Sequence, residues 1–248
     1  MEFADDAALY ATSDENFVSV ARSFVEIAGY WGLTVSLMKT TGVKIGDTPS
    51  SFVNGVPVAD QSVEIVKEFP YLGSVITDDG EVTSDVRTRI TKAASMFGCL
   101  KDSVFVNPHL SVTVKKAVYK AVVLATLLYG SECWAVKATA VHHLETFHHH
   151  CVRCIMGVTC HQQWCECITT EQLLSEFGMA ESLKCLLMER PMKWPGHVCR
   201  MDDSHHPKQL LFGELVKPQP FHGPKQRWRD VIAADLKTLD VPLRMCMT

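Results

Sequence analysis

The stretch Phe3-Ala4-Asp5-Asp6, followed by the segment 7–11 (Ala-Ala-Leu-Tyr-Ala), places two adjacent carboxylates directly before a short apolar run. The run predicts a strand, and the acidic pair predicts a tight turn at its start. A turn between two strands can aim both carboxylates at one point, whereas alternation along a strand separates neighbouring side chains. Enzymes that transfer phosphoryl groups hold Mg²⁺ with carboxylates placed in this way, so Asp5 and Asp6 are candidate metal ligands.

A helix is predicted next, because Ser13 is a good N-cap and the acidic Asp14 and Glu15 follow it. One buried apolar stripe is expected on this helix, formed by Phe17, Val20, Ala21, Phe24, Ile27, Ala28 and Trp31. Gly29 and Gly32 offer two places for it to end. The helix is expected to cover a small sheet whose strands are predicted over 7–11, 33–37, 51–53, 63–69 and 72–77. Turn signals are Asn54-Gly55 and Asp78-Asp79-Gly80.

The pattern becomes helical from Glu81 onward, with a break at Asn107-Pro108. Further helices are predicted over 111–129, 139–158, 169–177, 180–193, 205–215 and 226–239. Pro195 is expected to shorten the helix near it. A linker before the last helix is indicated by Pro218, Pro220, Gly223 and Pro224. The fold class is therefore predicted to be α+β, a small antiparallel sheet with one helix followed by a mainly helical region.

The amino-acid composition limits the classes of function that the chain can have. The chain has 248 residues, 47% of them apolar, and a net charge of −4, which argues against a generic polyanion binder. Charge is uneven, however: residues 1–66 carry three basic and nine acidic groups, and residues 191–248 carry nine basic and six acidic groups. The longest apolar run, over 121–128, is too short to cross a membrane. Ten cysteines without a secretory signal predict free thiols and an intracellular protein, nuclear or cytoplasmic and not secreted.

Several separated motifs occur in a recognisable order. The Phe-Ala-Asp-Asp box precedes a Gly-Leu…Lys-Thr segment over 32–40 and a Tyr-Leu-Gly motif over 71–73. The segments 127–134 (Leu-Leu-Tyr-Gly-Ser-Glu-Cys-Trp) and 194–201 (Trp-Pro-Gly-His-Val-Cys-Arg-Met) follow, and then Pro207-Lys208. In this order the chain resembles the reverse transcriptase of non-LTR (LINE-type) retrotransposons, over nearly its whole length.

The resemblance implies a C-terminal part of an RNA-directed DNA polymerase. It implies the end of a right-hand polymerase palm over 1–79, a helical thumb over 80–138 and a helical C-terminal region over 139–248. The full-length parent would use Mg²⁺ for two-metal nucleotidyl transfer on an RNA template and a DNA primer. No membrane is expected as a partner.

The resemblance also implies roles for single residues. Asp5 would be a Mg²⁺ ligand and Asp6 its partner. Lys39 would act near the leaving pyrophosphate, electrostatically or as a general acid, although a surface lysine at a strand end explains it as well. The motif Tyr71, Leu72 and Gly73 would form the hairpin on the primer side.

Only Met1 and Glu2 precede the Phe-Ala-Asp-Asp box, so we expect the incoming strand of the hairpin to be missing. In the family another catalytic aspartate and the fingers lie upstream of this box. We therefore expect the chain to be inactive alone. Two alternatives stay open: a non-catalytic RNA- or DNA-binding helical module, and a degenerate retrotransposon-derived reading frame.

Basic side chains mark two candidate nucleic-acid contacts. Lys115, Lys116 and Lys120 lie on or near one face of a predicted helix, where they fit phosphate contacts or simply a solvated surface. Near the C-terminus, Arg227 and Arg229 flank a tryptophan, a composition that suits backbone contact and stacking.

A zinc site is a further alternative, because the spacing of Cys151, Cys154, His161 and Cys165 is typical of a zinc knuckle. Cys160 and Cys167 could substitute for members of this set. Cys151 and Cys154, however, lie on a predicted apolar helical stripe with Leu144, Phe147, Ile155 and Val158, where small buried thiols are ordinary. Zinc is therefore not expected, and the cysteines are predicted to be free thiols.

Overall fold

The computed structural model describes residues 2–3, 5–45, 55–58, 61–179, 182–205 and 207–209, together with Ala234 and Lys237. The chain divides into two compact units, Met1–Glu81 and Val82–Thr248. The first unit combines short strands with one long helix, and the second is helical, which confirms the α+β class. The division into palm, thumb and C-terminal region stays a prediction. No helix in the described part of the chain combines the length and apolarity needed to cross a membrane.

Two very short strands begin the chain. β1 (Glu2–Phe3) pairs antiparallel with β2 (Asp6–Ala7), with Phe3 opposite Asp6. The expectation that the incoming strand is missing is therefore wrong, since Glu2 and Phe3 pair with Ala7 and Asp6. The predicted strand over 7–11 is also mostly wrong. Strand structure ends at Ala7, and Tyr10 is exposed.

The first long helix, α1 (Asp14–Tyr30), begins and ends as its sequence predicts. The Ser13 side chain accepts a hydrogen bond from the Asn16 amide at 3.2 Å. At the other end Gly32 adopts a φ of +73°, and the Leu33 amide donates to the Ala28 carbonyl oxygen at 2.8 Å. This is a Schellman arrangement, which uses the freedom of glycine to reverse the chain.

The buried face of α1 differs in part from the predicted stripe. Ala21 is buried in a small core with Val56, Val58 and Val63, and Phe17, Val18 and Val25 pack against that core. Val20, Ile27 and Trp31 are exposed, so their predicted burial is wrong. Because the sheet is only a few residues wide, it covers a narrower part of the helix than the apolar side chains span.

The central sheet has three strands in the order β3 (Thr41–Gly42), β5 (Gln61–Ile65), β4 (Val56–Val58). β4 is antiparallel to β5, whereas β3 is parallel to it, so the sheet is mixed and the expectation of an antiparallel sheet is wrong for β3. Gly55, which precedes β4, has a φ of +95°, and a Cβ atom there would lie 2.7 Å from the Val63 carbonyl oxygen. Asn54 of the predicted Asn54-Gly55 turn lies outside the described residues.

A hairpin closes the first unit, formed by β6 (Glu68–Tyr71) and β7 (Ser74–Thr77). The strand predicted over 63–69 is thus divided between β5 and β6. The strand predicted over 33–37 is wrong: the chain reaches a 3₁₀ turn at Leu37–Lys39, and Leu33 is exposed. β-prone residues form a strand only where a partner strand is available. The strand predicted over 51–53 lies outside the described residues.

The predicted turn at Asp78-Asp79-Gly80 is confirmed. Gly80 has a φ of +67°, and its amide donates to the Thr77 carbonyl oxygen at 3.1 Å. The Asp79 carboxylate accepts from the Thr77 hydroxyl at 2.6 Å and from the Glu81 amide at 2.8 Å. These bonds hold the end of the first unit.

Two long helical stretches open the second unit. The first is α2 (Thr83–Leu100), which continues as a π-helical segment over Lys101–Phe105. The break at Asn107-Pro108 is confirmed, and the Asn107 side chain accepts from the His109 amide at 2.9 Å. The second stretch runs through α3 (Val112–Val118), a π-helical segment over Tyr119–Leu124 and α4 (Ala125–Leu127). The Ser111 side chain caps the start of α3, because its hydroxyl oxygen accepts a hydrogen bond from the Val114 amide.

A 3₁₀ turn, Ser131–Cys133, leads to α5 (Ala138–Met156), which ends at Gly157 with a φ of +71°. α6 (Cys160–Cys165) was not predicted, and α7 (Thr170–Phe177) was. Both begin with a capping box, at Thr159 and Thr169, in which the N-cap and third residue exchange hydrogen bonds.

The last described helix, α8 (Leu183–Cys199), runs through Pro195, so the prediction that this proline shortens the helix is wrong. From the two helices predicted beyond it, the structure describes His205, which is not helical, and residues 207–209, Ala234 and Lys237, which are helical. The linker prolines Pro218, Pro220 and Pro224, with Gly223, lie outside the described residues.

One continuous core joins the helices of the second unit. The Phe97 and Phe105 rings stack with centroids 4.6 Å apart, and Tyr119 lies edge-on to both Phe105 and Phe177. Leu144, Cys151 and Ile155 of the predicted α5 stripe are buried in this core, and Phe147, Cys154 and Val158 pack against it. Burial of such apolar area is the main favourable term for folding this unit.

Candidate functional site

Asp5 and Asp6 lie at the tip of the β1–β2 hairpin. Asp5 lies in the turn, Asp6 opens β2, and both aspartate side chains are exposed. Carboxylate oxygens are the ligands that Mg²⁺ prefers, and exposure leaves room for the waters that this ion retains. By donor type the pair therefore fits a hydrated Mg²⁺ ion. In the residues that the structure describes, no three His, Cys, Asp or Glu side chains are grouped to hold a metal.

Lys39 ends the 3₁₀ turn and has an exposed side chain. The turn is held by the Thr40 hydroxyl, which donates to the Ser36 carbonyl oxygen at 2.9 Å. The lysine therefore projects from a compact turn and not from a strand, and its role in pyrophosphate departure stays a prediction.

The motif Tyr71, Leu72 and Gly73 forms the tip of the β6–β7 hairpin. Tyr71 pairs with Ser74, so Leu72 and Gly73 are the two turn residues, with φ values of +47° and +87°. Positive φ at both positions is the pattern of a type I′ turn, which matches the twist of the strands. Leucine rarely adopts this conformation, so Leu72 is strained at an exposed position.

The three lysines of α3 and its continuation have different environments. Lys115 is only 8% exposed, Lys116 is half-buried and Lys120 is exposed. A Cβ atom on Gly178 would lie 2.5 Å from the Lys116 Nζ, so this ammonium group lies over the C-terminus of α7. A cation there is favoured by the helix dipole. The three lysines therefore do not form one exposed basic face. Arg227 and Arg229 lie outside the described residues.

The four candidate zinc ligands lie on two helices. Cys151 is buried and Cys154 half-buried in α5, whereas His161 and Cys165 are exposed on α6 with Sγ 3.7 Å from either ring nitrogen. Burial, with a smaller contribution from Cys154, raises the pKa of the Cys151 thiol to about 12. A thiol binds metal as the thiolate, so Cys151 is a poor ligand in this environment.

A buried polar pair that the sequence analysis missed lies in the core. The Tyr119 hydroxyl is 2.7 Å from the His148 Nδ1, and both residues are buried. Burial, with a smaller effect of His149, lowers the pKa of His148 to about 4, and burial raises the pKa of Tyr119. A neutral imidazole can accept a hydrogen bond from the tyrosine at Nδ1, so this contact needs no charge, whereas the buried His148 Nε2 has no hydrogen-bond partner among the described residues. Helical spacing could have indicated this histidine, because it repeats with Leu144, Cys151 and Ile155.

A second buried polar cluster surrounds the Leu-Leu-Tyr-Gly-Ser-Glu-Cys-Trp motif. The Trp134 Nε1 donates to the Asp85 Oδ2 at 2.8 Å, and the Arg89 Nε lies 3.7 Å from the Asp85 Oδ1. The Arg89 guanidinium also stacks 4.4 Å from the Tyr129 ring centroid. Arg190 donates to the Leu128 carbonyl oxygen at 2.6 Å. This motif therefore joins α2, the second helical stretch and α8, and its role in this structure is packing.

These features define an α+β protein with an exposed acidic hairpin and a helical unit whose apolar core encloses two buried polar clusters. Over 246 residues the chain is 24% identical to a Caenorhabditis elegans protein described as transposon-derived and uncharacterized. The similarity covers 97% of this chain and 86% of that protein. No family model matches the sequence, and no solved structure matches it.

Proposed function

We propose that this chain is retrotransposon-derived and corresponds to the C-terminal part of a LINE-type RNA-directed DNA polymerase. The observation that carries the proposal is the similarity to a transposon-derived protein, because it extends over 97% of the chain. A single shared motif would not produce such an extent. The ordered motifs of the reverse transcriptase resemblance support the polymerase assignment.

The geometry of the first unit supports the same proposal. Asp5 and Asp6 are presented on one exposed hairpin tip, and Tyr71-Leu72-Gly73 form a second. In the parent polymerase the acidic tip would hold Mg²⁺, which would stabilise charge on the transferred phosphoryl group. The second tip would position the primer strand.

Primer extension tests the proposal. We expect no extension of a DNA primer on an RNA template by the 248-residue chain alone, because no residue matches the family's upstream aspartate or fingers. A chimera carrying an upstream palm and fingers from a related polymerase is expected to extend the primer. Asp5→Ala should abolish that activity, because it removes a metal ligand.

The matched control is Asp78→Ala, which removes a carboxylate from the other acidic turn of the first unit. This variant of the chimera should keep its activity. Equal loss in both variants would contradict the assigned role of Asp5. Extension by the isolated chain, lost on Asp5→Ala, would contradict the expectation that it is inactive alone.

A second candidate function is a non-catalytic nucleic-acid-binding module. It is favoured by one observation, a groove between α2 and α5 lined by two arginines and two histidines and by no carboxylate. An inactive chimera together with binding that weakens steeply with salt would favour this function over the polymerase.

A further inference from the structure

A groove of about 690 Å³ runs between α2 and α5, within the second unit. Its lining residues repeat at helical spacing, Arg87, Ile90 and Thr91 on one helix, and His143, Thr146, Phe147, His150 and Arg153 on the other. Residues three, four and seven apart share one face of a helix. Each helix therefore turns a single face toward the groove, and no lining residue is acidic.

The hydrogen-bond donors that remain for a ligand are the arginines and histidines. Thr91 and Thr146 already donate their hydroxyl protons to the carbonyl oxygens of Arg87 and His142, at 3.0 and 2.8 Å. Two guanidinium groups and two imidazoles, all able to donate hydrogen bonds, therefore face an open groove. Such groups bind the oxygens of an anion, and arginine can do so with two parallel hydrogen bonds.

Neither arginine of the groove forms an ion pair with another described residue. In the part of the chain that the structure describes, neither Arg87 nor Arg153 has a carboxylate within salt-bridge distance. Arg89, two residues from Arg87, provides the contrast, because it is buried against Asp85 and Tyr129. Burial holds Arg89 in the core, whereas the groove arginines are available to a partner.

We propose that this groove binds the phosphate backbone of a nucleic-acid strand. From His143 to Arg153 the helix rises about 15 Å, and one strand of a duplex carries roughly four phosphates over that length of the duplex axis. Ile90 and Phe147 add apolar surface to the lining, against which sugars can pack. The inference rests on the proposed function, which makes nucleic acid the expected polyanion. None of the residues that the reverse transcriptase resemblance singled out lines the groove.

Binding of fluorescently labelled RNA and DNA to the full chain, measured by anisotropy over a range of salt, tests the inference. The double variant R87Q/R153Q should weaken binding by about tenfold at physiological salt. The slope of log affinity against log salt should fall by roughly 1.4 to 1.8, since each lost phosphate contact contributes about 0.7 to 0.9. R87Q alone, at an exposed position, should produce about half of the change in slope.

The matched control is K92Q/K101Q, which removes the same charge from exposed residues of the same helical stretch that do not line the groove. It should change affinity much less. Equal losses of affinity in the two double variants would contradict the proposal that the groove binds nucleic acid. Wild-type affinity in R87Q and in R153Q would contradict it as well. Neither result would contradict the proposed function. Competition by polyglutamate as strong as by nucleic acid would also overturn it, in favour of an acidic protein partner. If the wild-type chain binds no nucleic acid even at low salt, the inference fails together with nucleic-acid binding.

Discussion

The indole of Trp134 donates a hydrogen bond to the carboxylate of Asp85 across 2.8 Å, and both side chains are buried. The two residues are 49 positions apart in the sequence. The bond connects the start of α2 to the turn that follows α4, and the same carboxylate faces Arg89. A buried carboxylate is tolerated only when its oxygens are satisfied, so this contact holds the arrangement of the helical unit.

Trp134→Phe tests this contact. The substitution keeps an aromatic ring but removes the donor, which leaves a buried carboxylate oxygen without that bond. We expect the free energy of unfolding to fall by roughly 1–3 kcal/mol. Urea unfolding measured by circular dichroism checks it. Trp164→Phe is the control, because Trp164 is 80% exposed and its change should stay within about 0.5 kcal/mol. Equal effects would contradict a structural role for the bond.

Stability of the second unit should depend on the protonation of His148. Burial lowers the pKa of His148 from 6.5 to about 4, so the unfolded chain binds the proton more readily than the folded chain. The contribution of neutral His148 is therefore present above about pH 6.5 and is lost as pH falls toward 4. The loss amounts to at most roughly 3 kcal/mol.

The measurement is the free energy of unfolding as a function of pH for the wild type and for His148→Gln. Glutamine does not titrate, so the variant should lack this part of the decline between pH 6.5 and 4. His142→Gln, at an exposed position of the same helix, should keep the wild-type profile. Parallel profiles for the wild type and His148→Gln would show that this histidine does not cause the decline in the free energy of unfolding.

The strained turn at Leu72 predicts a stabilising substitution. Asparagine tolerates a positive φ better than leucine does, so Leu72→Asn should strengthen the β6–β7 hairpin by up to about 1 kcal/mol. Hydrogen exchange of the β6 and β7 amides measures the stability of the hairpin, and we expect slower exchange in the variant. Gly73→Ala, at a φ of +87°, should have the opposite effect. Faster exchange in Leu72→Asn would indicate that leucine contacts outweigh the strain.

Thiol reactivity should separate the cysteines by burial. In the native protein a thiol-specific reagent is expected to modify exposed Cys160 and Cys165 rapidly, and Cys151 only after unfolding. Peptide mapping by mass spectrometry gives the modified positions. Metal analysis of the same protein should find no stoichiometric zinc. About one tightly held zinc ion per chain, with protection of Cys151, Cys154 and Cys165, would contradict free thiols.

Local sequence signals predicted much of the fold. Ser13 and Ser111 cap helices as predicted, Gly32 and Gly80 adopt left-handed conformations, and Asn107-Pro108 interrupts a helix. These signals work because a cap, a glycine or a proline acts on backbone groups within a few residues of itself. The strands were predicted poorly, because a strand depends on a partner that the local sequence does not contain.

The amino-acid sequence by itself therefore determined the α+β class, most helix ends and the acidic and Tyr-Leu-Gly motifs. The tertiary structure alone decided that Lys115 is buried while Lys120 is exposed, and that Tyr119 meets His148. It alone brought Arg87 of α2 and Arg153 of α5 to one groove. Helical periodicity places a side chain on a face, but only the packing of distant helices settles whether that face meets the core, another helix or solvent.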